Sequence, residues 1–265
     1  MSATVVEGVG LNTGSRARVW LHRAEGPMRF RTGGCELIAR PEAVVATRRC
    51  TVLGGPGTEL AMVEHLLAAL RVAGFWSGVV VEVEGPELPV LDGSAGPWRE
   101  PVAALGAPPE APAPLTFAAP AGFAHGATRF QLTPGAERLG VEVDYPHPAI
   151  GRQSWRGGPE SFDALLDART FATLEEYRAL RAAGGLRGAE EGRGIVFGDE
   201  GPSAPLRWPD EPARHKALDA IGDLALLGRP LLGSLTIERG SHAAHVAFML
   251  QLLAHHTPPN SGPSS

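Results

Sequence analysis

Three short segments carry side chains able to do chemistry at spacings that let them act together. In Arg214-His-Lys-Ala-Leu-Asp-Ala-Ile-Gly-Asp223, helical spacing puts His215, Asp219 and Asp223 at i, i+4 and i+8, opposite Leu218 and Ile221. A histidine and a carboxylate one turn apart can hold one divalent ion. For an isolated His-x-x-x-Asp, a solvated polar face is the commoner explanation. In Val63-Glu-His-Leu66, Glu64 and His65 cannot easily ligate one ion from the same helix face, but one can ligate while the other reaches a bound water. The apolar neighbours Val63, Leu66 and Leu67 equally suit a buried His65 bonded to a carbonyl. In Gly240-Ser-His-Ala-Ala-His245, His242 falls where a turn gives way to a helix, an exposed and well-oriented position that an ordinary surface histidine also fills.

Taken together, His65, His215 and Asp219 form a two-histidine, one-carboxylate set with an open position. Such a set serves Zn²⁺ hydrolases and also non-haem Fe²⁺ oxygenases. In a hydrolase, Glu64 would take the proton of water and His242 would stabilise the oxyanion or protonate a leaving amine. Asp223 would orient His242. The sequence has no Gly-x-Ser-x-Gly elbow, no phosphate loop ending in Gly-Lys-Ser/Thr and no Cys-x-x-Cys. Gly8-Val-Gly-Leu-Asn-Thr-Gly14 has the look of a dinucleotide loop, but its third glycine comes one residue late.

These groups need rigid elements to hold them. Thr58 is expected to cap a helix through Leu60, Val63, Leu67 and Leu70, ended by Gly74. Asp210 and Pro212 open a second helix with Leu218, Ile221 and Ala225 on its buried face, stopped by Gly228 and Pro230. A strand follows each, over 79–83 and 232–237, then a glycine turn and another apolar helical segment. The repetition predicts an α+β fold of two similar α/β sandwich domains, a duplicated unit. Strands over 5–19 with 29–38, and over 128–143, predict antiparallel sheets covered by helices on one face. Four prolines in Gly106-Ala-Pro-Pro-Glu-Ala-Pro-Ala-Pro114 mark a linker. The expected division is 1–106, a linker at 107–114, a second domain over 115–255 and a disordered tail over 256–265.

Composition narrows the function classes. The chain has 265 residues, 43% hydrophobic and 20% charged, values typical of a globular protein. A net charge of −5 argues against a nucleic-acid partner. No run approaches the ~20 apolar residues that span a bilayer, and the N-terminus lacks a signal peptide's basic start and apolar run. With only Cys35 and Cys50, no disulfide framework forms, so a cytoplasmic protein is expected. Coding bias explains why all but one of the 24 basic residues are arginine; it does not explain the exception, Lys216.

In sequence order, seven segments resemble the UDP-3-O-acyl-N-acetylglucosamine deacetylases, zinc amidases of lipid A biosynthesis. The first four are Gly8-Val-Gly-Leu-Asn-Thr-Gly14, Val63-Glu-His-Leu-Leu-Ala-Ala-Leu70, Leu91-Asp-Gly-Ser-Ala-Gly-Pro97 and Tyr145-Pro-His-Pro-Ala-Ile150. Ala168-Arg-Thr-Phe171, His215-Lys-Ala-Leu-Asp-Ala-Ile-Gly-Asp223 and Ser241-His242 complete the series. The resemblance implies two similar domains with the site between them and a β-α-β insert near 168–198. It implies His65, His215 and Asp219 as ligands of Zn²⁺, with Fe²⁺ as the other candidate ion, and Glu64 as general base. His242 and its partner Asp223 match the family's catalytic pair, and Thr170 matches the threonine that bonds the tetrahedral intermediate. For substrate it implies Lys216 at the diphosphate, Phe171 in the site, and Asp144 and Tyr145 at the uracil of a UDP-linked N-acetylglucosamine derivative. A monomer is expected. Two departures stand out: Asn12 replaces the family's usual histidine, and Gly185-Leu-Arg-Gly-Ala-Glu-Glu-Gly-Arg-Gly194 brings charge where an apolar wall for an acyl chain is expected. The alternatives are therefore the same deacetylation of an unacylated or differently decorated sugar in another pathway, and a non-catalytic sugar-nucleotide-binding paralogue.

Overall fold

A computed structural model describes residues 5–255; the expected disordered tail, 256–265, lies outside the described residues. The first part of the chain forms β1 (Val5–Val9), β2 (Arg16–Pro27), β3 (Arg29–Thr32) and β4 (Cys35–Ile38). It continues with β5 (Val44–Ala46), β6 (Val52–Gly55), β7 (Thr58–Ala61), α1 (Glu64–Val72), β8 (Ser77–Glu84) and α2 (Arg99–Ala103). Residues 107–114 contain no helix or strand. Then come β9 (Ala121–His125), β10 (Thr128–Thr133), β11 (Arg138–Asp144), β12 (Arg152–Gly157) and α3 (Phe162–Leu165). β13 (Phe171–Thr173), α4 (Leu174–Ala182) and β14 (Ile195–Gly198) form a strand–helix–strand unit with its strands parallel. β15 (Gly201–Pro202), α5 (Glu211–Leu224), β16 (Ser234–Glu238) and α6 (His242–His255) complete the fold.

The two large sheets repeat one topology. Their orders are β1-β2-β8-β3-β4 and β9-β10-β16-β11-β12. In each, the strand that follows the long helix inserts at the centre, antiparallel to one neighbour and parallel to the other. The sheets are thus mixed, where local pattern predicted antiparallel ones. A helix between two strands of one sheet acts as a crossover, and a crossover returns the chain parallel. Alternating burial in β10 and the consecutively buried 78–81 of β8 reflect an edge-near and a central position.

One continuous apolar core joins both sheets through the helices between them, including Val81, Leu67, Ile221 and Ile237. Every residue of α1 from Glu64 to Arg71 is buried, polar ones included. The expected helix start at Thr58 is wrong: Thr58–Ala61 is β7, and α1 begins only at Glu64. Met62 lies in the left-handed region, φ 63°, which no helix tolerates, so the apolar stripe spans a strand, a kink and a helix.

α1 and α5 cross in close contact, and Gly222 makes that approach feasible. A Cβ there would sit 2.1 Å from the Glu64 carbonyl oxygen, with no flexible side chain to yield. Gly222→Ala is expected to destabilise the fold by about 1–3 kcal/mol through this overpacking, read from the midpoint of urea unfolding.

Candidate active site

α1 and α5 bring the separated segments together. His65, second residue of α1, faces His215 and Asp219 on α5. Nε2 of His215 lies 3.3 Å and Nε2 of His65 3.9 Å from Oδ1 of Asp219. The two imidazole rings meet edge to face, centroids 5.2 Å apart. One ligand atom from each residue falls within 4.8 Å of the others. An ion about 2.0–2.2 Å from each of three tetrahedral N/O donors needs ligand atoms about 3.3–3.6 Å apart, close to what these side chains offer.

The protonation states match the same purpose. Burial, with the charge of His215, pushes His65 down to about 3 against the pull of Asp219, and burial likewise lowers His215. Burial alone would raise Asp219, but His215 and Lys216 hold it far below the usual carboxylate range. Two neutral imidazoles and one ionised carboxylate are what a divalent cation binds. His215 bonds through Nδ1 to the Ala168 carbonyl at 3.0 Å, which leaves Nε2 for the ion. The donor set therefore fits a metal ion.

An acid–base pair flanks this cluster. Nε2 of His242, the first residue of α6, lies 4.0 Å from Oε1 of Glu64 and 4.0 Å from Oδ2 of Asp219. Burial raises Glu64 to about 8, with His242 pulling it back and Asp223 and Asp219 adding to the rise. Burial works against charge on His242, but the Asp223 carboxylate outweighs it and lifts the imidazole to about 9. His242 Nδ1 and Asp223 Oδ2 are 2.8 Å apart. His242 is buried, not exposed as its turn position suggested.

A cavity of about 670 Å³ opens onto these groups. Glu64, His65, His215, Lys216, Asp219 and His242 line it, together with Thr170, Phe171 and Tyr145. The Thr170 N–H donates to the Gly93 carbonyl at 2.7 Å, and Arg169 binds the buried Glu211 of α5, so this strand start is fixed to both halves of the chain. The Phe171 ring stands 5.3 Å from Tyr145 and 6.2 Å from His215. Lys216 also lines the cavity, but its ammonium donates to Asp219 Oδ2 at 2.9 Å. Asp144 is not among the lining residues; it accepts from Arg239 at 2.7 Å on a partly exposed surface.

Both departures noted in the sequence have a structural outcome. Asn12 is tied down, its backbone N–H and its Nδ2 both donating to the buried Glu87 at 2.9 Å. In the charged segment, Glu190 and Glu191 are exposed at the cavity rim. The apolar wall comes from Leu180, Leu186, Ile195 and Val196 instead.

Sequence reading missed two buried residues here. His245 shares Asp223, its Nδ1 lying 2.7 Å from Oδ2; the His-x-x-His spacing on α6 was its only signal. Thr51, just before β6, binds both Glu64 and Asp223, and nothing in the local sequence marks it.

An α+β fold that buries a two-histidine, one-aspartate cluster beside a carboxylate–imidazole pair defines a hydrolase built around a metal-binding centre. A family model described as UDP-3-O-acyl N-acetylglycosamine deacetylase (LpxC) matches residues 1–254. The chain belongs to that family. A relative named UDP-3-O-acyl-N-acetylglucosamine deacetylase from Thermosynechococcus vestitus is 39% identical over 249 residues, covering 90% of this chain and 87% of the relative. Relatives of the same name from Nitratidesulfovibrio vulgaris and Myxococcus xanthus are 35% and 36% identical, covering 92% and 94% of this chain and 83% of each relative.

Proposed function

We propose that this protein hydrolyses the N-acetyl group of UDP-3-O-acyl-N-acetylglucosamine, releasing acetate and a free amine for lipid A biosynthesis, with Zn²⁺ held by His65, His215 and Asp219. The observation that carries the reading is the buried Glu64–His242 pair, 4.0 Å apart, beside the three ligand residues. A bound Zn²⁺ supplies Lewis acidity, polarising the amide carbonyl and lowering the pKa of water to about 7. Glu64 accepts the proton of the attacking water. The Thr170 hydroxyl donates to the developing oxyanion. His242, protonated at neutral pH, gives its proton to the amine as the C–N bond breaks, and Asp223 stabilises its charge. Lys216 offers a compact positive charge for phosphate, with Phe171 and Tyr145 as walls for the sugar nucleotide.

The apolar surface of Leu180, Leu186, Ile195 and Val196 supports a 3-O-acyl substrate and removes the motive for an unacylated one. A pure binding protein would have no use for a buried Glu64 aimed at the same space as His242. Two free thiols, Cys35 and Cys50, suit a cytoplasmic setting. Among the described residues, no helix is long and apolar enough to cross a membrane.

Acylated and unacylated UDP-N-acetylglucosamine, assayed side by side for acetate release, test the substrate. Burial of only four methylenes of an acyl chain, at ~0.8 kcal/mol each, would favour the acylated sugar by about 200-fold in kcat/KM. Equal turnover of the two would refute the acyl requirement.

A further inference from the structure

Thr51 has no exposed surface, and each of its polar groups is spent on the site. Its carbonyl accepts from the Val63 N–H at 3.4 Å, where α1 starts. Its own N–H donates to Oε2 of Glu64 at 3.0 Å. The hydroxyl donates to Oδ1 of Asp223 at 2.5 Å and lies 3.3 Å from Nδ1 of His242. Asp223 Oδ2 is already shared by His242 and His245, so Thr51 is the partner of the other oxygen. One residue from the first part of the chain therefore touches the carboxylate on α1 and the Asp–His pair built by α5 and α6.

We propose that Thr51 is a positioning residue that fixes the proton acceptor and the proton donor relative to each other, its N–H holding Glu64 and its hydroxyl holding Asp223 and, through it, His242. The inference rests on the deacetylase reading above. Its physical basis is that a fully buried carboxylate deprived of a donor turns to find another, because an unsatisfied Oδ1 away from solvent carries its full desolvation cost. Turning Asp223 displaces His242 from the line between Glu64 and the leaving amine. Binding of substrate and metal does not depend on the hydroxyl, so the effect falls on turnover.

Thr51→Val removes the hydroxyl, keeps the shape and leaves the N–H to Glu64 intact. It is expected to lower kcat about 10- to 100-fold, the usual effect of losing such a supporting hydrogen bond, with KM within about twofold and bound metal unchanged. Thr51→Ser, which restores the hydroxyl without the methyl, should recover most of the loss. In ¹⁵N NMR without substrate, the His242 Nδ1 signal should move in the valine variant and return in the serine one. A valine variant with wild-type kcat would overturn the proposal, as would a loss that serine fails to restore. If the valine variant does not fold, Thr51→Ala carries the same comparison. Failure of the underlying reading looks different: wild-type protein would then release no acetate at all.

Discussion

Glu64→Gln is expected to lower kcat for acetate release by about 10²–10⁴-fold, the contribution of a positioned general base, while the protein keeps its metal ion. Glutamine matches the shape of the side chain and can still accept from the Thr51 N–H, so the loss isolates proton acceptance. The pH profile gives a second signature. Glu64 works as the carboxylate, so activity falls as pH drops through its pKa. Burial lifts that pKa to about 8, and a bound cation draws it lower, so the ascending limb lies below pH 8. His242 works protonated, so activity falls again as pH rises through its pKa, which Asp223 lifts to about 9 and the same cation draws lower, so the descending limb lies below pH 9. In the glutamine variant the ascending limb should vanish and the descending limb remain. Turnover within tenfold of wild type would remove Glu64 from its role.

His215→Ala is expected to abolish both bound metal and acetate release. His215 Nε2 is the imidazole nitrogen nearest to Asp219 Oδ1, and His65 and Asp219 alone offer two ligands where three are needed. Elemental analysis should find about one ion per wild-type chain and almost none in the variant, with circular dichroism unchanged. The fold should survive, because His215 sits within a helix that the core holds through Leu218 and Ile221. Full metal retention in the folded variant would place the ion elsewhere.

How much of this was legible in the sequence depends on whether the determinants are local. The start and the chemical face of α5 could be read: Asp210 precedes its first residue, and His215, Asp219 and Asp223 share a face because 3.6-residue periodicity fixes it. Its end at Leu224, before a 3-10 turn over Ala225–Leu227, and the burial of both its faces could not. The repeat of helix, strand and helix could be read for the same reason. The start of α1 could not, because a left-handed Met62 is set by packing and leaves the apolar spacing intact. The mixed sheets were likewise hidden, since strand pattern reports burial but not the direction of a neighbour. Thr51 was invisible because its partners are 13, 172 and 191 residues away. Charge counts misled at 185–194, where position at the rim, unknowable from composition, decided that the glutamates face water.

The central claim is that a metal ion at His65, His215 and Asp219, worked by Glu64 and His242, deacetylates UDP-3-O-acyl-N-acetylglucosamine. Acetate released from that substrate, labelled in its N-acetyl group, tests it most directly when measured on one preparation as purified, after chelation and after reloading with Zn²⁺. The account predicts steady release, near-complete loss on chelation, and recovery with about one equivalent of Zn²⁺ per chain. Undiminished release by the metal-free protein would contradict it.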